Sequence, residues 1–247
     1  MQSGSLYTTM AGLQAISAQM QAVASNLANQ QTPGYAAVQA VTEAANYQGS
    51  NAPPGADALS LTPGPDITQG SINHTGDPMN VALSGDAWLQ VQTSGGNALT
   101  RDGSLSLSSS GILTDSAGNP VLGATGQPIS LPALASLKIG TDGTVSGVPA
   151  GTPGGPSQVY GKLGLFSTPP GTLTPLSGTL YSPPAGATLN ASTNGSVQQG
   201  YLNGSNVDPT QSMMQMLDDS RSYQLQTNLM KAQSTAASAL NQMLSQG

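Results

Sequence analysis

Cysteine is absent from this chain of 247 residues, and His74 is its only histidine. These absences exclude disulfide bonds, thiolate chemistry and zinc sites built on cysteine or histidine. A serine triad would need His74, which lies in a polar, turn-rich stretch typical of the protein surface. The sequence also holds no phosphate-binding loop and no G-x-S-x-G motif. We therefore expect a protein that is not an enzyme and that needs no cofactor and no metal.

Charge is also scarce, because charged residues make up only 6% of the chain. The net charge is −6, and the few cations are scattered singly at Arg101, Lys138, Lys162, Arg221 and Lys231. Nucleic-acid binding needs clustered cations, and binding to anionic lipid needs a polybasic patch. No run approaches the roughly 18 apolar residues of a membrane span. We expect neither nucleic acid nor a lipid bilayer among the partners.

Several aspartates are candidates for catalytic acid–base groups or for calcium ligands. Asp102, Asp115 and Asp142 each lie beside or near a glycine. Turn formation explains them better, because a calcium loop needs several oxygen ligands at alternating positions. Asp218 and Asp219 are adjacent, but neighbours on a helix point about 100° apart and cannot share a proton. We predict that Asp102, Asp115 and Asp142 lie in turns. We predict that the side chains of Asp218 and Asp219 are solvated.

Two long helices are predicted near the ends of the chain. The stretch Leu6–Asn29 has no proline and no charge, and its apolar residues recur every three or four positions. The segment Thr32–Tyr35 ends this helix, because proline fixes φ and glycine supplies the positive φ of a type II turn. The stretch Ser212–Leu244 also lacks proline and glycine, and the preceding Asp208 and Pro209 favour a helix start.

The region between the helices has the pattern of a β protein. Short alternating runs from Ile67 to Phe166 predict strands, and pairs such as Asp142-Gly143 predict the turns between them. Residues 167–196 are rich in proline, glycine, serine and threonine, which indicates a second linker. The predicted organisation is an assembly helix and turn (1–35), a linker (36–66), a β domain (67–200) and a second assembly helix (201–247).

The apolar stripes of the two terminal helices need a cover. The first helix has one stripe and the second has two, so we expect the helices to cover each other and further copies of the protein to cover the rest. Repeated heterologous contacts between copies build helical filaments. The predicted fold is therefore α+β, with long N- and C-terminal helices paired as a coiled coil and a central all-β domain of hairpins.

Several motifs resemble those of one bacterial protein family. Residues 24–35 read ASNLANQQTPGY, which closely resembles the "NNLAN…TPGF" signature of flagellar rod and hook proteins. Further stretches of this chain resemble other motifs of that family, in the same order and along essentially the whole chain. They are TGDPMNVAL at 75–83, DAWLQV at 86–91, LTRDG at 99–103, GYLNGSNV at 200–207 and RSY at 221–223.

The resemblance implies a structural subunit of the flagellar basal-body rod, most like the proximal-rod members. It implies partners among other rod subunits and assembly through the terminal helices into a helical tube that transmits torque. It also implies a place in the periplasm-spanning rod and export through the flagellar type III apparatus without a cleaved signal peptide. The opening residues MQSGSLYTTM agree with that route, since they lack a basic segment followed by an apolar run.

On this interpretation the assembly interface lies on the two terminal helices, the turn and the segment before the last helix. We expect its apolar side chains to bury between subunits, Asn26 and Asn29 to bond the backbone at the helix end, and Pro33-Gly34 to set the turn. The predicted interface residues are Leu13, Met20, Asn26, Leu27, Asn29, Pro33, Gly34, Tyr35, Asn206, Val207, Leu217, Arg221, Tyr223, Leu225 and Leu229.

Three alternatives stay open at this point. The chain also resembles distal-rod and hook subunits. A second alternative is an extracellular adhesive or carbohydrate-binding β domain, which would need exposed aromatic rings on one sheet because grooves for sugars stack aromatic side chains. The third is an enzyme, for which loss of turnover in His74→Ala would be the minimal test.

Overall fold

The computed structural model describes residues 2–46, 57–152, 154–169, 172–184, 186 and 189–245. The contacts divide the chain into two compact units. Unit 1 comprises Met1–Ala28, Val38–Pro63 and Asp208–Gly247, and unit 2 comprises Asn29–Ala37 and Gly64–Val207. Each unit is therefore built from stretches that are distant in the sequence.

Unit 1 contains both helices. Helix α1 spans Gln2–Ala28 and helix α2 spans Pro209–Ser245. The Oδ1 atom of Asp208 accepts hydrogen bonds from the backbone amides of Thr210 at 2.8 Å and Gln211 at 3.1 Å. Asp208 thus caps α2, and Pro209 occupies the first helical position, where a missing N–H costs nothing. The helix start predicted from Asp208 and Pro209 is confirmed.

The predicted coiled coil is wrong. In a coiled coil the apolar positions of both helices form a buried seam. Here the bonds that join α1 to α2 are polar: the Thr9 hydroxyl donates to Gln233 Oε1 at 3.3 Å, and Gln226 Nε2 donates to the Thr9 carbonyl at 3.5 Å. Several leucines of α2 are exposed instead of buried. Periodicity predicts apolar stripes on the helices, but it does not reveal which surface covers them.

The described residues form short strands, most of them in unit 2. In chain order they are β1 Val38–Asn46, β2 Asp57–Pro65, β3 Ile72–His74, β4 Val81–Ser84, β5 Trp88–Thr93, β6 Gly96–Thr100, β7 Ser106–Leu107, β8 Leu113–Thr114, β9 Leu134–Ile139, β10 Thr144–Pro149, β11 Gln158–Lys162, β12 Leu165–Ser167, β13 Thr174–Ser177, β14 Leu180–Ser182, β15 Asn190–Ala191, β16 Ser196–Gln199 and β17 Tyr201–Asn203.

The sheet order corrects the prediction of a succession of hairpins. Neighbouring strands such as β5 and β6 do pair, but the largest sheet has the order β13-β14-β6-β5-β12-β15. Strand β4 pairs with β16, and β3 pairs with β17, so the end of unit 2 in sequence returns to its beginning. These two pairs therefore join strands from the beginning of unit 2 to strands from its end. The prediction missed them because turn residues signal only connections between consecutive strands.

Both stretches predicted as linkers contain strands. The first, 36–66, includes β1 and β2, which pair in a two-stranded sheet. The second, 167–196, includes β13, β14 and β15. Proline and glycine are compatible with strands at sheet edges, and β13 and β15 are the two edges of the six-stranded sheet.

Unit 2 has two clusters of buried apolar side chains. The larger includes Leu83, Leu89, Val91, Leu113 and Val145, which come from four different sheets. The smaller consists of Ala36, Trp88, Leu99, Leu173 and Tyr181. Ala36 belongs to no strand, so the second cluster fixes the stretch that follows the predicted turn.

Candidate assembly interface

The turn after α1 is formed as the sequence predicts. The backbone amide of Thr32 donates to the Asn29 carbonyl at 3.0 Å, and the amide of Tyr35 donates to the Thr32 carbonyl at 3.3 Å. Gly34 has a φ of 69°, a conformation that favours glycine. The Thr32 hydroxyl also donates to the side-chain oxygen of Asn29 at 3.2 Å. The Asn29 side chain thus bonds a hydroxyl within the turn, and its predicted bond to the backbone stays a prediction.

Gly34 is also a point of close backbone approach. A Cβ atom at this position would overlap backbone atoms of Arg101 and Asp102. The Gly34 amide donates to the carbonyl of Asn203 at 2.8 Å. Two requirements, the positive φ and the absence of a side chain, therefore select glycine here.

Tyr35 and Ala36 continue this packing inside unit 2. Both are buried, and the Ala36 backbone bonds one side chain twice. The Tyr181 hydroxyl donates to the Ala36 carbonyl at 2.8 Å and lies 3.2 Å from the Ala36 amide nitrogen, which donates to it. Tyr181 is a residue that the sequence analysis did not identify, because it lies in the stretch interpreted as a linker.

Asn26 fixes the start of β1 within unit 1. Its side-chain nitrogen donates to the Val38 carbonyl at 2.9 Å, and its side-chain oxygen accepts from the Val38 amide at 2.8 Å. An asparagine amide can bond both groups of one backbone residue because it carries a donor and an acceptor. The prediction that Asn26 bonds the backbone is confirmed.

Asn206 has a similar role in unit 2. Its side-chain oxygen accepts from the Ala37 amide at 2.7 Å, and its nitrogen lies 3.0 Å from the carbonyl oxygens of Asp66 and Thr68. Its own amide donates to the Tyr35 carbonyl at 3.4 Å. The structure therefore brings Tyr35 and Asn206 of the predicted interface together. Val207, the next residue, is half-buried, and its amide donates to the Ser205 hydroxyl at 3.3 Å.

Asn203 and Arg101 are two further structural residues that received no role in the sequence analysis. The Asn203 side chain bonds both the amide and the carbonyl of Leu83, at 2.6 Å and 2.9 Å. The buried Arg101 guanidinium donates to the carbonyls of Ile67 and Gly85 and lies over the ring of Trp88. Burial lowers the pKa of Arg101, although nearby acidic groups oppose this shift.

The predicted interface residues of α1 are half-buried. Leu13, Met20 and Leu27 all belong to this class, as does Pro33 in the turn. Each of these side chains therefore keeps part of its apolar surface in contact with solvent. Met10, on the same helix, is more exposed than the other three.

The predicted interface residues of α2 are more exposed than those of α1. The exposed fractions are 60% for Leu217, 42% for Tyr223, 65% for Leu225 and 56% for Leu229. Arg221 is exposed too, and its guanidinium lies 3.6 Å from the Asp218 carboxylate. Exposed pairs of this kind contribute about 0 to 1 kcal/mol to stability. Helix α2 therefore exposes several large apolar side chains, and the exposed pair Asp218–Arg221 lies among its leucines.

Asp219 contradicts the prediction of a solvated side chain. It is only 9% exposed, and its Oδ2 atom has no hydrogen-bond partner within the described part of the chain. Burial and, second, the charge of Asp218 raise the pKa of Asp219. The angular separation of neighbouring helical residues places one aspartate outside and the other inside.

Asp102, Asp115 and Asp142 each accept a hydrogen bond from a backbone amide two residues later, as expected of turn residues. Asp115 Oδ1 accepts from the amides of Ala117 and Asn119, and Asp142 Oδ1 accepts from the amide of Thr144. His74 is exposed, with its ring 4.8 Å from that of Tyr201. Across the described ranges, no group of three or more His, Cys, Asp or Glu residues could hold a metal ion. Likewise, neither described helix has the length and hydropathy to cross a membrane.

The aromatic side chains of unit 2 do not form a platform for sugars. Trp88, Tyr35 and Tyr181 are buried, whereas Phe166, Tyr160 and Tyr201 are half-buried. No aromatic ring in the described part of unit 2 is fully exposed on a sheet. The carbohydrate-binding alternative therefore lacks the feature on which it depends.

Three family models match the chain in order. They are Flagella basal body rod protein over residues 6–35, Flagellar hook protein FlgE/F/G D1 domain over residues 82–147, and Flagellar basal body rod FlgEFG protein C-terminal over residues 198–243. The matched regions include the turn at Gly34, the strands around Leu83 and the α2 face. They thus contain all of the predicted interface residues.

Curated relatives match over nearly the whole chain. The flagellar basal-body rod protein FlgF of Escherichia coli is 33% identical, and the match covers 97% of this chain and 98% of the relative. The FlgF of Salmonella typhimurium is 32% identical with the same coverage. The FlgG rod protein of Buchnera aphidicola subsp. Schizaphis graminum is 29% identical over 97% of this chain and 99% of its own length, so FlgG is the weaker alternative. The chain belongs to the family of FlgF-type flagellar basal-body rod proteins.

Proposed function

We propose that this chain, a structural subunit of the flagellar basal-body rod, joins neighbouring rod subunits through the apolar face of α2. The observation that carries this proposal is the exposure of Leu217, Tyr223, Leu225 and Leu229 on one helix. Large apolar surfaces are rarely left exposed on a soluble monomer, and they mark sites of association. Met213 and Met214 on the same helix are exposed as well, and their flexible side chains suit contacts that shift slightly.

The contact between subunits depends on apolar burial more than on ion pairs. Helix α2 carries only Asp218, Asp219, Arg221 and Lys231 as charged residues, and the one described ion pair on it is Arg221 with Asp218. A neighbouring rod subunit with a similar helix supplies a matching apolar surface. When such contacts join different faces of successive subunits they build a helical assembly, which here forms a tube that transmits torque.

The remaining features of this function follow from family membership and composition. The subunit is exported by the flagellar type III apparatus and takes its place in the rod that spans the periplasm. It performs no catalysis and needs no cofactor. The isolated cations give no basis for contacts with nucleic acid or with a lipid bilayer.

Substitution of one exposed leucine tests the proposal. We expect Leu225→Asp to place a charge in the apolar contact between subunits, where it has no partner, and so to prevent incorporation. Because Leu225 is exposed, the free subunit should fold normally. The matched control is Asn97→Asp, which adds the same charge at an exposed position of β6, outside α2.

The measurement is the amount of each variant in basal bodies purified from a strain that lacks the chromosomal copy. Circular dichroism of the purified subunits should show the same helix content for both variants. The proposal predicts that Asn97→Asp enters basal bodies at the normal level and that Leu225→Asp is missing from them. Normal incorporation of folded Leu225→Asp would contradict it.

A further inference from the structure

Tyr181 connects two stretches of unit 2 that are 145 positions apart. Its hydroxyl donates to the Ala36 carbonyl at 2.8 Å and accepts from the Ala36 amide at 3.2 Å. Both residues are buried. A single hydroxyl thus satisfies both polar groups of one buried backbone residue, and its loss would leave both groups without this partner.

The surroundings of Tyr181 hold the hydroxyl in place. Its ring packs edge-on against Trp88, with 5.3 Å between the ring centroids, and Arg101 lies over the same Trp88 ring. Tyr181 belongs to β14, which pairs with β6 in the six-stranded sheet. Burial raises the pKa of Tyr181, so the hydroxyl keeps its proton and remains a donor. The side chain is therefore anchored to the sheet at one end and to Ala36 at the other.

The stretch bonded by Tyr181 has little regular structure of its own. Residues 35–37 belong to no helix and no strand, so no ladder of backbone hydrogen bonds supports them. Ala37 is bonded on both sides, because its amide donates to Asn206 at 2.7 Å and its carbonyl accepts from the Asp66 amide at 2.7 Å. Every residue from 34 to 37 thus has a backbone bond to a distant part of unit 2. Unit 2 ends at Ala37 in this part of the chain.

We propose that Tyr181 is a positioning residue for force transmission, which keeps the backbone at Ala36 fixed relative to the sheet when the rod rotates under load. This inference rests on the proposed function and adds a role that assembly alone does not require. A stretch without regular secondary structure opens locally at a low free energy unless other bonds hold its backbone. Tyr181 holds it by two bonds that the tyrosine hydroxyl alone provides.

The test compares Tyr181→Phe with Tyr160→Phe in the full chain. Tyr181→Phe removes both bonds to Ala36 and keeps the ring against Trp88. Tyr160→Phe is the matched control, because the Tyr160 hydroxyl is buried but has no hydrogen-bond partner in the described residues. In the purified subunit, we expect amide exchange at Ala36 to become about tenfold faster in Tyr181→Phe and to stay unchanged in Tyr160→Phe.

The decisive measurements are made on assembled motors. Basal bodies are counted in cells that carry each variant, and the rotation of single tethered motors is recorded at low and at high viscosity. The proposal predicts normal basal-body numbers for Tyr181→Phe, with at least a twofold greater loss of speed at high viscosity than for Tyr160→Phe.

Two results would overturn the proposal. If Tyr181→Phe matches the control in exchange and in loaded rotation, the bonds to Ala36 do not matter. If basal-body numbers fall while each remaining motor rotates normally, Tyr181 serves folding and assembly only. Absence of the unmodified chain from basal bodies would instead refute the proposed function, so the two failures are distinguishable.

Discussion

The side-chain oxygen of Asn206 lies 2.7 Å from the backbone nitrogen of Ala37 and accepts its hydrogen bond, although 169 positions separate the two residues. The nitrogen of the same side chain donates to the carbonyls of Asp66 and Thr68. One planar amide therefore joins three stretches of unit 2 near the points where the chain enters and leaves this unit. Only a side chain with both a donor and an acceptor can make these bonds.

We predict that Asn206→Asp lowers the stability of unit 2 by about 2 kcal/mol. Aspartate has the size of asparagine but no N–H donor, so the substitution loses the bonds to Asp66 and Thr68 and places negative charge beside their carbonyl oxygens. Urea unfolding followed by the fluorescence of Trp88, the only tryptophan, measures this change. Trp88 is buried in unit 2 and reports on its unfolding.

Asn97→Asp is the control for this prediction. Asn97 is exposed in β6, so the same substitution there should change the free energy of unfolding by less than about 0.5 kcal/mol. Equal unfolding midpoints for the two variants would mean that the Asn206 amide contributes nothing beyond an exposed asparagine.

The sequence predicted the helices because their signals are local. Observed α1 spans Gln2–Ala28 where Leu6–Asn29 was expected, and α2 spans Pro209–Ser245 where Ser212–Leu244 was expected. The period of the apolar residues defined each helix, and the chemistry of Asp208 and Pro209 defined the start of the second. None of these signals depends on the rest of the chain.

The features that the sequence did not predict depend on contacts between distant residues. The pairing of β4 with β16 and the cover over the apolar faces of the helices are of this kind. Asp219 is a further example, since helical geometry separates it from Asp218 but does not reveal which of the two faces inward.

The residues near the predicted turn show the same difference between features with a local signal and features that depend on distant contacts. The motif around Asn26 pointed to a backbone bond that the structure contains. Tyr181, by contrast, is a single tyrosine in a stretch rich in proline, glycine, serine and threonine, and no local pattern connects it to Ala36. The role of the interface residues in assembly stays a prediction.

Gly34→Ala is predicted to be severely destabilising. An alanine at a φ of 69° costs about 1 to 2 kcal/mol by itself. At Gly34 the Cβ atom would also overlap backbone atoms of Arg101 and Asp102, which cannot move aside as a flexible side chain could. We expect a total loss above about 3 kcal/mol, measured by urea unfolding of the purified variant.

Gly118→Ala separates the two contributions to this loss. Gly118 also has a positive φ, of 84°, but a Cβ atom there would meet no other atom within 4 Å. This variant should lose only the conformational part, about 1 to 2 kcal/mol. If both variants lose the same stability, the close approach at Gly34 has no energetic effect.

The raised pKa of Asp219 predicts that the free energy of unfolding depends on pH in an unusual way. Burial raises its pKa in the folded protein, so the folded state binds this proton more tightly than the unfolded chain does. The buried carboxylate therefore opposes folding fully above the raised folded-state pKa. This unfavourable contribution shrinks as the pH falls through that pKa, and it disappears below the unfolded value of about 3.9.

Removal of the charge by Asp219→Asn should therefore stabilise the helices at neutral pH, and this advantage over the unmodified protein should shrink as the solution is acidified. Thermal unfolding followed by far-ultraviolet circular dichroism measures both effects. Asp218→Asn is a graded comparison, because it removes the neighbouring charge that is the second cause of the raised pKa while Asp219 stays buried, and it should therefore give a smaller effect in the same direction. The contact of Asp218 with Arg221 at 3.6 Å is a surface ion pair worth little. A stability advantage of Asp219→Asn that stays constant from neutral to acidic pH would contradict the raised pKa, since an asparagine and a protonated aspartate carry the same charge.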